Sequence, residues 1–344
     1  MNPYIMSILI SNLALGTVIT AASYHWFLAW VGLELNTLAI IPILAKHHHP
    51  RATEAATKYF IIQATASSII LFSSIINAWY TGTWDITQLT TQPTPTMLLI
   101  ALSMKLGLAP MHFWLPEVMQ GTDTTTALII ATWQKLPPMS LLCITSNQFS
   151  MTLLSLLAIS STLIGGWSGL NQTQLRKIMA FSSIGHLGWM IIISSISQKL
   201  LLLTLMVYLL MTTSMFTIII NSSTKTTKDL GMMWTISPTL STIMMINLMT
   251  LGGLPPLSGF IPKWLVLKEL TTNLLLPLAT IIALSSLLSL MFYMRLTYVS
   301  TLTISPNTSN SQMKWRFKPT KPTNPTPMIT VLLLLMPIMP LIYT

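Results

Sequence analysis

Charge is what this sequence has least of. Only 7% of its 344 residues are Asp, Glu, Lys or Arg, against about 25% in a soluble domain. Such a chain lacks the polar surface that water requires, which excludes a soluble enzyme, a nucleic-acid-binding protein and a disordered chain. Cysteine is almost missing as well. Cys143 stands alone, so it cannot close an internal disulfide, and an iron–sulfur cluster generally needs four thiolates. No two glycines stand two apart, which excludes a G-x-G-x-x-G run, and no G-x-x-x-x-G-K-[ST] run exists either. No residue is therefore assigned to binding NADH, FAD or ATP, and the energy that drives the chain has to arrive from outside it. Positions 1–45 contain no Lys or Arg, so neither a secretory n-region nor an Arg-rich transit peptide is expected. Either the first span acts as its own insertion signal or the chain is made in the organelle that uses it.

What is present is apolar. Hydrophobic residues make up 52% of the chain, mean hydropathy is +0.68, and long apolar runs recur from end to end. The class is an all-α polytopic membrane protein. Eleven segments read as spans: 3–22, 25–45, 57–80, 96–116, 124–144, 150–170, 177–197, 200–221, 239–268, 274–298 and 326–343. The segment 239–268 is long for one straight helix, and Gly252, Gly253, Pro255 and Pro256 predict a break inside it. The net charge of +10 does not indicate nucleic acid, because the basic residues fall in short loops. Loops on the side of the N-terminus carry twelve Lys and Arg, from Lys46 to Lys321, and the opposite loops only Lys199 and Lys268. By the positive-inside rule the N-terminus lies on the cytoplasmic or matrix side, and eleven spans put the C-terminus on the other.

Four charges remain inside spans. Glu34 sits about ten residues from either end of its helix, ~15 Å deep at 1.5 Å per residue. Lys105 is mid-span, Lys135 lies just before Pro137-Pro138, and Lys263 follows the Gly/Pro break. Each charged group costs about 2.5–3.5 kcal/mol in a span, roughly 10 kcal/mol for the set. Such groups persist when paired or facing an internal water cavity, and they commonly serve transport. A lysine in a low-dielectric medium holds its proton less firmly, and a nearby carboxylate holds it on, so a Lys–Glu pair of variable spacing is a proton-affinity switch. Two rival readings are side chains that snorkel from mis-drawn boundaries and static ion pairs. The second fits the set poorly, because three lysines share one in-span glutamate.

Two segments share a pattern. Gly107-Leu108-Ala109-Pro110 follows Lys105, and Gly252-Gly253-Leu254-Pro255-Pro256 precedes Lys263. Matched interrupted helices in two halves point to inverted-repeat transporters, whose freed backbone groups hold water or ions at depth. His112, after the first break, and His186, mid-span, are candidate proton relays, since imidazole titrates near pH ~6.5. The run Lys46-His47-His48-His49-Pro50-Arg51 reads as a solvated loop and not a metal tract, because adjacent residues do not share a face. Glu117 and Asp123 read as an interfacial turn.

Several stretches together carry a resemblance: Trp30-Val31-Gly32-Leu33-Glu34-Leu35-Asn36, Ala109-Pro110-Met111-His112-Phe113-Trp114-Leu115-Pro116-Glu117-Val118, Ser182-Ser183-Ile184-Gly185-His186-Leu187-Gly188-Trp189 and Gly252-Gly253-Leu254-Pro255-Pro256-Leu257-Ser258-Gly259-Phe260, with the Met-Asn-Pro start. Over essentially its whole length the chain resembles the chain 2 family of NADH–ubiquinone oxidoreductase, mitochondrially encoded antiporter-like membrane subunits of respiratory complex I. The resemblance implies two inverted five-helix repeats (1–145 and 150–299), a matrix loop at 300–325, a C-terminal helix at 326–344, and the loss of three N-terminal helices found in bacterial relatives. It implies that Glu34 and Lys105 form the family's Glu–Lys pair, that Lys135 is the connecting lysine and Lys263 the lysine of the second broken helix, and that His112 and His186 lie near a water-filled path. It implies no cofactor or metal on this chain, with NADH, FMN, iron–sulfur clusters and ubiquinone held elsewhere in the complex. Implied partners are other membrane-arm subunits, neighbouring antiporter-like subunits among them, and phospholipids such as cardiolipin. The implied location is the mitochondrial inner membrane, with the N-terminus in the matrix and the C-terminus towards the intermembrane space. A stand-alone cation/proton antiporter and a scaffold whose buried charges only lock helices together are the alternatives. Few in-span carboxylates are available for a sodium site, which counts against the first.

Overall fold

The computed structural model describes residues 2–46, 49–89, 92–302 and 330. Among them the chain is helical, with no strands beyond two isolated bridges. In order the helices are α1 (Pro3–Ala22), α2 (Trp26–Leu44), α3 (Pro50–Thr81), α4 (Thr94–Leu106), α5 (Trp114–Gly121), α6 (Thr124–Ala131), α7 (Leu136–Thr145), α8 (Met151–Gly169), α9 (Leu175–Ser194), α10 (Gln198–Ser222), α11 (Thr227–Ile236), α12 (Pro238–Gly252), α13 (Phe260–Thr272) and α14 (Leu276–Leu302). Eight helical stretches among the described residues are long and apolar enough to cross a bilayer, with α6 to α7 counted as one. The expected segments 96–116 and 239–268 are realised differently, as the pairs α4/α5 and α12/α13. The expected loop and helix at 300–325 and 326–343 lie almost wholly outside the described residues, as do His47 and His48.

Two compact units divide the chain. One comprises Met1–Thr162 with His186–Leu201, the other Leu163–Gly185 with Leu202–Thr344. In the first, α1 and α2 cross where two glycines meet. A Cβ on Gly16 would stand 2.9 Å from the Gly32 carbonyl oxygen, and one on Gly32 would stand 2.7 Å from Thr20 Cγ2. Small residues at a crossing let backbones approach closely, which is how helices associate where lipid offers no hydrophobic drive. The contact fixes the face of α2 that carries Asn36, whose Cβ lies 3.3 Å from the Gly16 position.

The 32-residue α3 is ~48 Å long at 1.5 Å per residue, more than the ~30 Å hydrocarbon core requires. Its first turns carry Lys58, bridged to Glu54 at 2.6 Å and to Glu117 at 2.7 Å. Glu117 is thus not in a turn, as the sequence suggests, but in the first turn of α5, where a carboxylate favours the positive end of the helix. His49, the remaining described member of the histidine run, caps α3: its Nδ1 accepts from the Arg51 backbone N–H at 3.2 Å.

Three of these helices reflect interruptions by glycine or proline. The α4 helix stops at Gly107 (φ 76°, ψ 42°) and α12 at Gly253 (φ 77°, ψ 45°), both left-handed. In each the glycine N–H bonds the carbonyl three residues back, Met104 at 3.2 Å and Thr250 at 3.0 Å. The next N–H bonds the carbonyl five back, Leu108 to Ser103 at 2.9 Å and Leu254 to Met249 at 3.4 Å. The two breaks are the same Schellman turn, which only a residue free of a Cβ penalty enters readily. Between α6 and α7, Trp133–Lys135 winds into a 3-10 turn ahead of Pro137 and Pro138, which cannot donate to the preceding carbonyls.

The region 222–238, read as a connector, contains α11. A capping box nucleates it. Thr226 Oγ1 accepts from Asp229 N–H at 3.4 Å, and Asp229 Oδ2 accepts from the Thr226 and Lys225 N–H groups at 2.8 and 2.9 Å. Those backbone donors hold the Asp229 carboxyl below its ordinary value of 3.8. A lowered folded-state value stabilises the cap above the unfolded value and is lost as pH falls through the folded one. Hydrogen exchange at the Lys225 and Thr226 amides should show protection at neutral pH that disappears below pH 3.8. Asp229→Ala should remove it at every pH, at about 1 kcal/mol of local stability.

Candidate functional site

The in-span lysines share one structural circumstance: each sits at an interruption of its helix. Lys105 occupies the last turn of α4, two residues before Gly107. Lys135 closes the 3-10 turn before Pro137. Lys263 lies in the first turn of α13, just after the second break. An uninterrupted helix already bonds its own carbonyls, so it offers a buried ammonium only a long, shared acceptor, as the Gln63 carbonyl of α3 does for Lys105 at 3.4 Å. At an interruption the backbone offers acceptors and must itself be satisfied.

Lys105 is 6% exposed. A clasp with Gln63 of α3 holds it: the lysine Nζ donates to the Gln63 carbonyl, and Gln63 Nε2 donates to the Lys105 carbonyl, each at 3.4 Å. The Trp114 indole donates to the neighbouring Met104 carbonyl at 3.1 Å. Side chains from α3 and α5 thus cover the backbone that the first break frees.

Lys135, also buried, faces the same space. A cavity of about 20 Å³ is lined by Asn36, Tyr59, Gln63, Lys105, Gln134 and Lys135, among others, which is room for one water molecule with several polar partners. A hydrogen-bonded chain forms one wall. Tyr59 Oη donates to Gln134 Oε1 at 3.2 Å, and Gln134 Nε2 donates to Asn36 Oδ1 at 3.1 Å. Tyr59 and Asn36 are buried. Two ammonium groups drawn from different helices therefore meet one small polar space inside an apolar bundle.

Glu34 stands apart from that lining. Its Oε2 is buried with no hydrogen-bond partner among the described residues. It makes no direct ion pair with Lys105, yet its charge acts through space on both Lys105 and Tyr59. The carboxylate is within electrostatic reach of the lysine without neutralising it by contact. His112 is 4% exposed and folds back on its own turn, its Nδ1 3.3 Å from the Pro110 carbonyl. It does not line the cavity, nor does His186, half-buried in α9.

Lys263 belongs to the second compact unit. It does not snorkel outward. Its Nζ turns back to donate to the Gly252 carbonyl at 2.9 Å, the last carbonyl of α12. Nearby, Asn247 of α12 exchanges hydrogen bonds with Ser214 of α10 (2.7 and 3.0 Å) and accepts from Thr250 at 3.3 Å. Sequence reasoning singled out the charges but not Asn36, Tyr59, Gln63 and Gln134. A search for uncharged amides inside the spans would have found Asn36 and Gln63, and Gln134 stands beside Lys135 in the chain.

An all-α membrane protein with two helices interrupted at matching glycine turns, and with lysines held at the interruptions, has the form of an antiporter-like transport subunit. Residues 23–289 match the family described as NADH:quinone oxidoreductase/Mrp antiporter, TM, and residues 290–343 match NADH dehydrogenase subunit 2 C-terminus. The chain is 54% identical over 321 residues to NADH-ubiquinone oxidoreductase chain 2 of Carassius auratus, covering 93% of this chain and 92% of that one. It is 54% identical over 320 residues to the same-named protein of Gallus gallus, with the same coverage. A chain of respiratory complex I from Thermus thermophilus superposes with a TM-score of 0.84 at 25% identity, over 99% of this chain and 80% of that chain. A chain of the Mrp complex from Dietzia sp. shares the fold, with a TM-score of 0.77 at 17% identity over 85% of this chain and 59% of that one. The chain belongs to the NADH-ubiquinone oxidoreductase chain 2 family.

Gln134 is the hinge of the cavity wall. Gln134→Leu strands the Tyr59 hydroxyl and the Asn36 carbonyl oxygen in an apolar interior and should cost about 1–3 kcal/mol. A lowered unfolding midpoint of the detergent-solubilised protein checks this. Gln134→Glu, which keeps an acceptor for Tyr59, should lose less.

Proposed function

We propose that this chain is a proton-translocating subunit in the membrane arm of a respiratory NADH:ubiquinone oxidoreductase, where it moves protons without carrying out redox chemistry itself. The observation that carries the reading is the meeting of Lys105 and Lys135 at one water-sized polar cavity, with the Glu34 carboxylate within electrostatic reach. Lys105 makes no direct ion pair with Glu34, so a change in the position or charge of Glu34 alters how firmly Lys105 holds its proton. Lys105 then exchanges a proton with the cavity, Lys135 receives it, His112 and His186 relay it, and Lys263 passes it on. NADH, FMN, iron–sulfur clusters and ubiquinone act on other subunits, whose free energy reaches this chain as electrostatic and conformational change.

Its partners in this reading are the other membrane-arm subunits, including neighbouring antiporter-like ones, with phospholipids such as cardiolipin over its exposed apolar faces. The membrane is the mitochondrial inner membrane. The N-terminus faces the matrix and the C-terminus the intermembrane space, supported by the twelve-to-two excess of Lys and Arg on the N-terminal side. The inverted-repeat halves are 1–145 and 150–299.

A stand-alone cation/proton antiporter is the second reading, since the family matched over residues 23–289 is described as taking in Mrp antiporters as well. A native gel of mildly solubilised membranes separates the two. Co-migration of the chain with a very large NADH-oxidising assembly is expected, and migration as a small inactive species overturns the proposal. Within that assembly, Lys105→Met should cut coupled NADH:ubiquinone turnover and pumping by about 100-fold, the lower range for losing a positioned proton carrier, with the amount of assembled complex unchanged. Loss of assembly with normal turnover in the surviving complex would make Lys105 a structural residue.

A further inference from the structure

The two breaks have the same turn but not the same counter-charge. At the first, Gln63 and Trp114 take the freed carbonyls, and a carboxylate, Glu34, acts on the lysine. At the second, the lysine itself takes the freed carbonyl: Lys263 Nζ donates to Gly252 at 2.9 Å. Among the described residues no Asp or Glu makes an ion pair with Lys263. What faces its ammonium is the carboxyl end of α12, where unbonded carbonyls sum to roughly half a negative charge.

Reaching that end requires the lysine to cross the backbone of Gly253. A Cβ built on Gly253 would stand 2.8 Å from Lys263 Nζ and 3.1 Å from both Cδ and Cε. The whole outer stem of the lysine lies in the space a side chain would fill. At the first break the corresponding Cβ on Gly107 would meet Leu115 and Trp114, not a lysine. The glycine at 253 therefore has two separable reasons to be there: a left-handed backbone, shared with Gly107, and an open seat for Lys263, which is its own.

We propose that Gly253 is a positioning residue for proton transfer: its missing side chain seats Lys263 on the carbonyl end of α12, which serves the second unit as the counter-charge that Glu34 supplies in the first. The proposal rests on the reading of Lys263 as a proton-passing residue given above. Docked, the ammonium is held by the helix end; released, it is free to give up its proton.

The test is a double-mutant cycle in the assembled complex in its native membrane, normalised to NADH oxidation with an artificial acceptor. Gly253→Asn is the informative variant, because asparagine tolerates left-handed backbone yet fills the seat. Its coupled turnover number should fall about tenfold, the low end for a lost hydrogen bond to a charged group, with the KM for ubiquinone unchanged. In a Lys263→Met background the same change should add nothing. Wild-type turnover in Gly253→Asn overturns the proposal. So does a defect that adds fully in the Lys263→Met background, or a failure of Gly253→Asn to assemble, since either assigns Gly253 to backbone geometry alone. Normal pumping by Lys263→Met would instead remove Lys263 from the proton path, and the reading beneath this inference with it.

Discussion

A backbone carbonyl that loses its helical partner inside a bilayer has no water to turn to. Everything distinctive in this structure answers that constraint. Glycine turns at 107 and 253 and the proline pair at 137 and 138 interrupt three helical stretches at depth. Each Schellman turn satisfies part of the exposed backbone internally, and side-chain donors supply the remainder or a second bond: Gln63 and Trp114 at one break, Lys263 at the other. The arrangement joins two requirements that would each be costly alone. An ammonium group in an apolar interior needs acceptors, and an interrupted helix needs donors.

The pairing also explains how such groups remain usable. An ammonium fixed in an ion pair is stable but poorly disposed to release a proton. Lys105 has instead one long carbonyl contact, a neighbouring cavity of about 20 Å³ and a carboxylate that acts from a distance. Lys135 meets the same cavity from another helix. Around them Tyr59, Gln134 and Asn36 form a satisfied polar chain, which keeps the wall rigid and prevents a half-paired network from collapsing onto the lysines.

Much of this was legible in the sequence, for physical reasons that can be named. Apolar runs near 20 residues have one solution in a membrane, so the helices from α1 to α3 and the interrupted pairs were expected close to where they lie. A charge at mid-span is too costly to be incidental, which singled out Glu34, Lys105, Lys135 and Lys263. Uncharged amides carry no such signature. Gln63 and Gln134 matter through partners 42 and 98 residues away, and pairing at that separation is set by helix crossings such as Gly16 against Gly32. The turn at Gly253 was readable, but the lysine lying across it was not, because a sequence gives no direction for a side chain. The α11 helix was missed for a smaller reason: its capping box, Thr226 with Asp229, lies in a polar stretch that read as a connector.

The account's central claim is that Lys105 and Lys135 serve one proton path through a shared cavity. The ratio of protons translocated to NADH oxidised, measured in sealed vesicles for Lys105→Met, Lys135→Met and the double variant, tests it most directly. The claim predicts that each single substitution lowers the ratio and that the double lowers it no further than the worse of the two. Losses that add independently, or a ratio that stays at the wild-type value while only stability falls, would contradict it.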